Sequence, residues 1–311
     1  MVLPDRERLR AAMLRSQQGR SGIEQPSERA IDAVEPSKTS DATPPQSQAP
    51  ESASGANGGL RAMLQQRLAS QRESRARVEL PPGEVRTNAV GSYWSRTLRY
   101  PEGHVHGRIE LSRALQLDGE LLAKWAKDPR FATLRTDECL FFDTETTGLS
   151  GGAGTMVFTV GLGWFEGADF VLEQLFMRDF GEEPAMLQAV AQRLEERPVP
   201  VSFVGKSFDR HRIAARLAVH RMSAPILTDR HLDLYYAARR AFGKELPDCK
   251  LRTVEERRLG LVRDCDLPGS EAPIAYLQWI RDGRGPVDRV LEHNRLDVLS
   301  VAALLGFLAG R

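Results

Sequence analysis

Cys139-Leu140-Phe141-Phe142-Asp143-Thr144-Glu145-Thr146-Thr147-Gly148-Leu149 is the stretch that decides how the rest of the chain is read. Four apolar residues run straight into an acid, the pattern of a buried strand that emerges at the edge of a core. Side chains alternate along a strand, so the carboxylates of Asp143 and Glu145 leave it on the same side. Two like charges held that close are costly without a cation between them, and a divalent metal ion is the natural compensation. Thr146, Thr147 and Gly148 then make a turn without bulky side chains, where backbone can approach a substrate closely. As a bare pair, Asp-x-Glu occurs by chance on many solvated strands. Its place after an apolar run is what gives it weight.

Downstream, residues 156–166 and 169–178 are β-rich runs separated by Glu166-Gly167-Ala168-Asp169, a hairpin turn. Three strands therefore come first, as a meander. Residues 182–196 follow with Met186, Leu187, Val190 and Leu194 on one helical face, and Pro198 lies beyond the end. A short buried strand is expected over 199–204, a helix over 208–221, and a strand over 231–234 that runs into a helix over 235–242. Further helices are expected over 251–259, 274–281 and 287–308. This order predicts an α/β fold with a mixed sheet, three antiparallel strands and then alternating helices and strands, flanked by helices.

Upstream the composition changes, for the first aromatic residue is Tyr93. Residues 1–84 are read as a disordered, low-complexity region because they offer too little to bury. Within it, residues 21–59 carry Pro26, Pro36, Pro44, Pro45 and Pro50 among Ser and Gly, as a linker does. Residues 8–15 and 59–68 are short amphipathic helix candidates with Leu and Met between arginines. Marginal solvated helices are the blander reading of them, and a site for a protein or nucleic-acid partner the sharper one. Residues 85–135 interleave Tyr93, Trp94, Tyr100, Trp125 and Phe131 with Arg86, Arg96, Arg99, Arg108, Arg113, Lys124, Lys127 and Arg130, and a helix is expected over 115–127. Such a mixture suits stacking on a single strand, or equally pins an extension onto the core of a main domain at 136–311.

Across its 311 residues the chain is 41% hydrophobic and 27% charged, which excludes a wholly disordered or collagen-like protein. Its formal charge of +1 predicts no polyanion partner by itself. Cys139, Cys249 and Cys265 are too few and too scattered for a disulfide framework or a paired-cysteine zinc site. No run approaches the ~18 apolar residues of a membrane span, and the first residues lack a secretory signal, so a cytoplasmic protein without membrane contact is expected.

Two further places carry acids. Asp209 stands where a short strand turns into a helix, a position that also suits capping. His293 and Asp297 lie four residues apart in the last helix and share one face. Lys206, Arg210 and Arg212 flank the second acid and read equally as phosphate contacts or solvated charges. Residues 151–154 read as a rim loop, lacking the Gly-Lys-Ser/Thr ending of a P-loop. Asp229, His231 and Asp233 either extend the acidic site or serve the end of a strand.

Taken together, these motifs resemble the DEDD 3′-5′ exonucleases of the ribonuclease H-like superfamily, and within it the YprB-like ribonuclease H-like domain. The resemblance runs over about residues 137 to 308. It is carried by Phe142-Asp143-Thr144-Glu145-Thr146-Thr147-Gly148-Leu149, by Phe203-Val204-Gly205-Lys206-Ser207-Phe208-Asp209 and by His293-Asn294-Arg295-Leu296-Asp297-Val298. Asp233-Leu234, Ala238-Arg239-Arg240 and Lys250-Leu251-Arg252-Thr253-Val254-Glu255 are similar to the family as well. The resemblance implies a ribonuclease H-like sheet, with Asp143, Glu145, Asp209 and Asp297 as ligands of two divalent ions and His293 as the base. Thr146, Gly148, Leu149, Lys206 and Phe208 are the candidate substrate contacts beside these acids. His293 stands four residues before the last Asp, where the histidine-bearing branch places its own five before and the tyrosine-bearing branch has tyrosine. Relatives commonly carry Asn where Val204 stands.

The chemistry agrees with this set, because two metals ~3.5 to 4 Å apart activate a nucleophile, neutralise a phosphodiester and stabilise the leaving oxygen. Oxygen ligands select Mg²⁺ or Mn²⁺. The expected function is a metal-dependent exonuclease acting on a single-stranded or frayed end of DNA or RNA. A catalytically silent nucleic-acid scaffold and a ribonuclease H-type endonuclease are the alternatives.

Overall fold

In the computed structural model the described residues are 78–148, 154–264 and 266–309. The two N-terminal helix candidates, Cys265, Leu149 and most of the 151–154 loop lie outside them. β5 (Cys139–Thr146), β6 (Val157–Glu166) and β7 (Asp169–Phe176) form the expected meander. Two strands precede it, β1 (Glu84–Asn88) and β2 (Gly91–Tyr100), with a small hairpin of β3 (Val105–His106) and β4 (Ile109–Glu110) after them. β8 (Val199–Ser202) and β9 (Leu232–Asp233) complete a seven-stranded sheet in the order β1-β2-β7-β6-β5-β8-β9. Pairing is antiparallel from β1 to β5 and parallel from β5 through β8 to β9. The sheet therefore changes character at β5, and the carboxyl ends of β5, β8 and β9 open on one edge.

The helices are α1 (Gly119–Ala126), α2 (Glu183–Glu196), α3 (Asp209–Val219), α4 (Leu234–Phe242), α5 (Leu251–Val254), α6 (Ala272–Asp282) and α7 (Val287–Ala309). Alternation along β5 sends Leu140 and Phe142 into a core with α2, α3 and α6, and Cys139 and Phe141 into a second core with α1, α4 and most of α7. Burial on both faces explains why β5 reads as a continuous apolar run. Gly161 and Gly163 let α7 lie close to β6, for a Cβ at Gly161 would come within 2.5 Å of Asn294 Oδ1 and 2.7 Å of a Val298 methyl. Among the described residues no helix is long and apolar enough to cross a membrane.

Several boundaries differ from expectation for local reasons. Asp118 accepts the N–H of Leu121 and starts α1 there, while residues 111–115 form a separate 3₁₀ turn. β8 stops at Ser202 because Val204 takes a left-handed conformation, φ +67°. The helix expected over 251–259 changes at Glu255 into a π-helical turn, Glu255–Leu259, closed by left-handed Gly260. The sheet also runs two strands beyond the meander. β1 and β2 lacked a clear apolar alternation because arginines occupy them, and the structure gives those arginines hydrogen-bonding partners. Arg86 meets Glu84 and Glu173, Arg96 meets Gln174, and Arg99 meets Glu166 and Asp169. Tyr93, Trp94 and Phe131 are buried, so these aromatic rings serve packing rather than stacking on a single strand.

Candidate active site

The carboxyl-terminal edge of β5 gathers the acids from distant parts of the chain. Period-two geometry turns Asp143 toward α7, where Asn294 Nδ2 donates to its Oδ2 (2.9 Å) and to its carbonyl oxygen (3.1 Å). Gln174 Nε2 donates to Asn294 Oδ1 (2.8 Å) and Arg96 Nε donates to Gln174 Oε1 (2.7 Å), a relay that fixes which way both amides face. Thr144 leaves the strand on the other side and donates its hydroxyl to Asp209 Oδ1 at 2.5 Å, tying the first turn of α3 to β5. At Glu145 and Thr146 the register with β6 shifts, a bulge that re-aims side chains at the strand end. His293, on α7, places Nε2 3.9 Å from Glu145 Oε1 and 3.7 Å from Asp297 Oδ2. Asp143, Glu145, Asp209, His293 and Asp297 thus share one edge.

The second motif is held by an acid beyond the four. Asp233 accepts the N–H groups of Val204 (2.9 Å), Lys206 (3.2 Å) and Tyr235 (3.1 Å). Left-handed backbone costs a β-branched residue of order 1–3 kcal/mol, and these bonds hold Val204 in it. Asn adopts that conformation more readily than Val. Gly205 is needed for close approach, because a Cβ there would lie 2.6 Å from the Ser202 hydroxyl and 3.1 Å from Asp209 Oδ2. His231 is buried with Nε2 2.8 Å from the Ser202 hydroxyl. Asp233 and His231 therefore serve the strand end, and the charge of Asp233 adds to those that raise Asp209.

Charge is unevenly compensated. Burial, then the charges of Asp297, Glu145 and Asp209, push the Asp143 carboxyl well above its usual range. Burial and the charges of Asp297, Asp209 and Asp266 do the same to Glu145. Burial raises Asp209 to about 6 despite the Thr144 hydrogen bond. Among the described residues the guanidinium inside is that of Arg263, which donates to Asp297 Oδ1 (2.5 Å), to Asp266 Oδ2 (3.3 Å) and to Glu255.

Hard divalent cations fit the chemistry of this donor set, four carboxylates of which the most buried are acted on by other carboxylates. As the side chains stand, no three His, Cys, Asp or Glu among the described residues are arranged to grip an ion. Asp297 has one oxygen engaged by Arg263. Of the predicted substrate contacts, Thr146 and Gly148 form the rim of β5, with the Thr146 hydroxyl on the Gly148 carbonyl (3.0 Å). Lys206 is half-buried in the turn after β8, and Phe208 is 40% exposed immediately before α3.

Asn294, Gln174, Arg263 and Asp266 were not singled out from the sequence. Asn294 lies inside the last motif and its neighbourhood was a usable signal. Arg263 and Asp266 sit in an irregular segment where no periodicity marks them.

Residues 140–309 match the family described as the RNase_H superfamily. The chain is 32% identical over 216 residues to the uncharacterized protein YprB of Bacillus subtilis (strain 168), an alignment covering 67% of the chain and 51% of YprB. The chain thus spans about half the length of that relative. Among solved structures it is similar to the family B DNA polymerase of the hyperthermophilic archaeon Pyrobaculum calidifontis, with TM-score 0.43 and 16% identity, covering 53% of this chain and 24% of the polymerase.

Proposed function

The chain belongs to the ribonuclease H superfamily, with a YprB-like domain, and from that premise we propose that it is a metal-dependent 3′-5′ exonuclease acting on single-stranded or frayed nucleic acid. The observation that carries the reading is the gathering of Asp143, Glu145, Asp209 and Asp297, far apart in sequence, at one strand edge with His293 among them. Those four carboxylates would hold two Mg²⁺ or Mn²⁺ ions, which when bound neutralise the phosphate and stabilise the attacking and leaving oxygens.

The chain's own residues do the rest. Asn294 and Thr144 hold Asp143 and Asp209 in place. Phe208 offers an exposed ring beside Asp209 for the terminal base, and Lys206 and the Thr146–Gly148 rim border the path of its backbone. A water oxygen bonds to phosphorus while its proton passes to His293 Nε2. The bond from phosphorus to the preceding nucleotide's 3′ oxygen breaks, and that oxygen takes a proton from solvent.

The test is degradation of 5′-labelled single-stranded DNA and RNA with Mg²⁺ or Mn²⁺. A ladder shortening from the 3′ end is expected, slowed roughly 10³-fold or more by Asp143→Asn. Equal degradation by wild type and variant overturns the reading, and internal fragments convert it to an endonuclease. One observation favours a second reading, a silent binding domain, namely the hold of Arg263 on Asp297. Salt-sensitive binding without cleavage would decide for it.

A further inference from the structure

The structure gives His293 a partner outside the three motifs of the site. Asp266, in the segment before α6, has its Oδ1 2.9 Å from His293 Nδ1. Its other oxygen, Oδ2, is 3.3 Å from Arg263 Nη1. Arg263 is buried and also bound to Glu255 and Asp297, and neighbouring Leu267 is buried as well, so Asp266 is presented from a fixed segment.

An ionised carboxylate can only accept a hydrogen bond. Arg263 Nη1, which can only donate, also lies 3.4 Å from Nδ1, so it is the shorter contact, Asp266 Oδ1 at 2.9 Å, that assigns the proton to Nδ1 and, in the neutral ring, the lone pair to Nε2. Nε2 lies 3.9 Å from Glu145 Oε1 and 3.7 Å from Asp297 Oδ2, too far for either to be a hydrogen bond, so neither carboxylate engages it directly. Gly269 lies alongside, and even a Cβ there would reach to 3.6 Å of Nε2, so the approach is lined by a residue without a side chain.

We propose that Asp266 is a positioning residue for phosphodiester hydrolysis: it accepts the Nδ1–H of His293 and so turns the Nε2 lone pair toward the water that attacks the phosphate. The proposal deepens the nuclease reading and rests on it. The proton leaves water for Nε2 as the oxygen bonds to phosphorus, while the Nδ1–H stays in place against Asp266.

Three readouts test it on the full chain. In protein labelled with ¹⁵N-histidine, where the His293 signal is identified by its loss in His293→Asn, long-range ¹H–¹⁵N spectra of wild type should report the Nδ1–H tautomer. Asp266→Ala should move the ring toward Nε2–H. In the oligonucleotide assay Asp266→Ala should lower kcat roughly 10²-fold, within the range of a positioned general base. Its affinity for an uncleavable phosphorothioate oligonucleotide should change less than about threefold. Asp266→Asn, whose carbonyl oxygen can still accept from Nδ1–H, should retain more kcat than Asp266→Ala. Asp266→Ala combined with His293→Ala should be no slower than His293→Ala alone. An active wild type with the Nε2–H tautomer, a loss of binding matching the loss of kcat, or additive losses in the double variant each overturn the role of Asp266 alone. A wild type that cleaves nothing overturns the nuclease reading and this role together.

Discussion

Glu173 on β7 is a buried acid and Asp143 on β5 a half-buried one, two strands apart in the same sheet, and their surroundings are opposite. Glu173, 2% exposed, receives Arg86 at 2.6 Å, Arg193 at 2.9 Å and the Ser95 hydroxyl at 3.1 Å. Glu183 on α2 is treated likewise, with Arg216 at 2.5 Å and His220 at 2.7 Å. Asp143 receives one neutral amide, and the charges acting on it are Asp297, Glu145 and Asp209. A buried charge needs a partner or it destabilises the fold. Glu173 and Glu183 are each given an arginine, whereas at the edge of β5 the one arginine among the described residues reaches Asp297, and the proposed cations would compensate the rest.

The sharpest break of this contrast is thermal unfolding with and without divalent cation. Saturating Mn²⁺ or Mg²⁺ at about 100 times the dissociation constant should stabilise wild type by about 2.7 kcal/mol and raise its Tm. Asp143→Asn should lose most of that gain, while its metal-free Tm should equal or exceed that of wild type, because one uncompensated charge is gone. A variant that still gains as much as wild type would break the comparison.

Glu173→Ala should behave in the opposite way, losing about 2 kcal/mol in urea unfolding with or without metal. The loss falls below the ~3–5 kcal/mol of a fully buried pair because Arg86 and Arg193 keep partial access to solvent.

The smallest effect concerns buried histidines, which contrast with His293 on the open edge. Burial above all, helped by nearby positive charge, lowers His106 and His231 to about 3. Unfolded histidine titrates near ~6.5, so between these values the unfolded chain binds protons that the folded chain refuses. Stability is therefore at its full value above pH ~6.5 and falls as pH drops toward 3. His106→Gln, which can keep a hydrogen bond to Ser300, should recover about 1 kcal/mol of the loss between pH 7 and 5.5, read from urea midpoints.

Much of this architecture was legible in the chain. β5, β6 and β7 announced themselves because a sheet buried on both faces demands apolar runs, and α2 and α7 because their apolar residues recur at helical spacing. β1 and β2 did not, since their arginines pair across strands with residues 70 or more positions away, such as Asp169 and Glu173. In the site, the acids stood in recognisable local settings. Asp266 and Arg263 did not, because their meaning lies in what they touch, 27 residues away at His293 and 34 away at Asp297.

By itself the order of residues determined the meander of β5, β6 and β7, the helices α2 and α7, and which side of β5 bears Asp143 and Glu145, because periodicity and local sterics act over a few residues. Only the tertiary structure decided that Asp209 is fastened to Thr144, that Asn294 holds Asp143, and that Asp266 reaches His293. Those contacts exist because glycines at 161 and 163 let α7 settle against the sheet and because parallel pairing brings the ends of β5 and β8 to one edge. Packing distances of that kind belong to the folded chain as a whole, and no short stretch of residues encodes them.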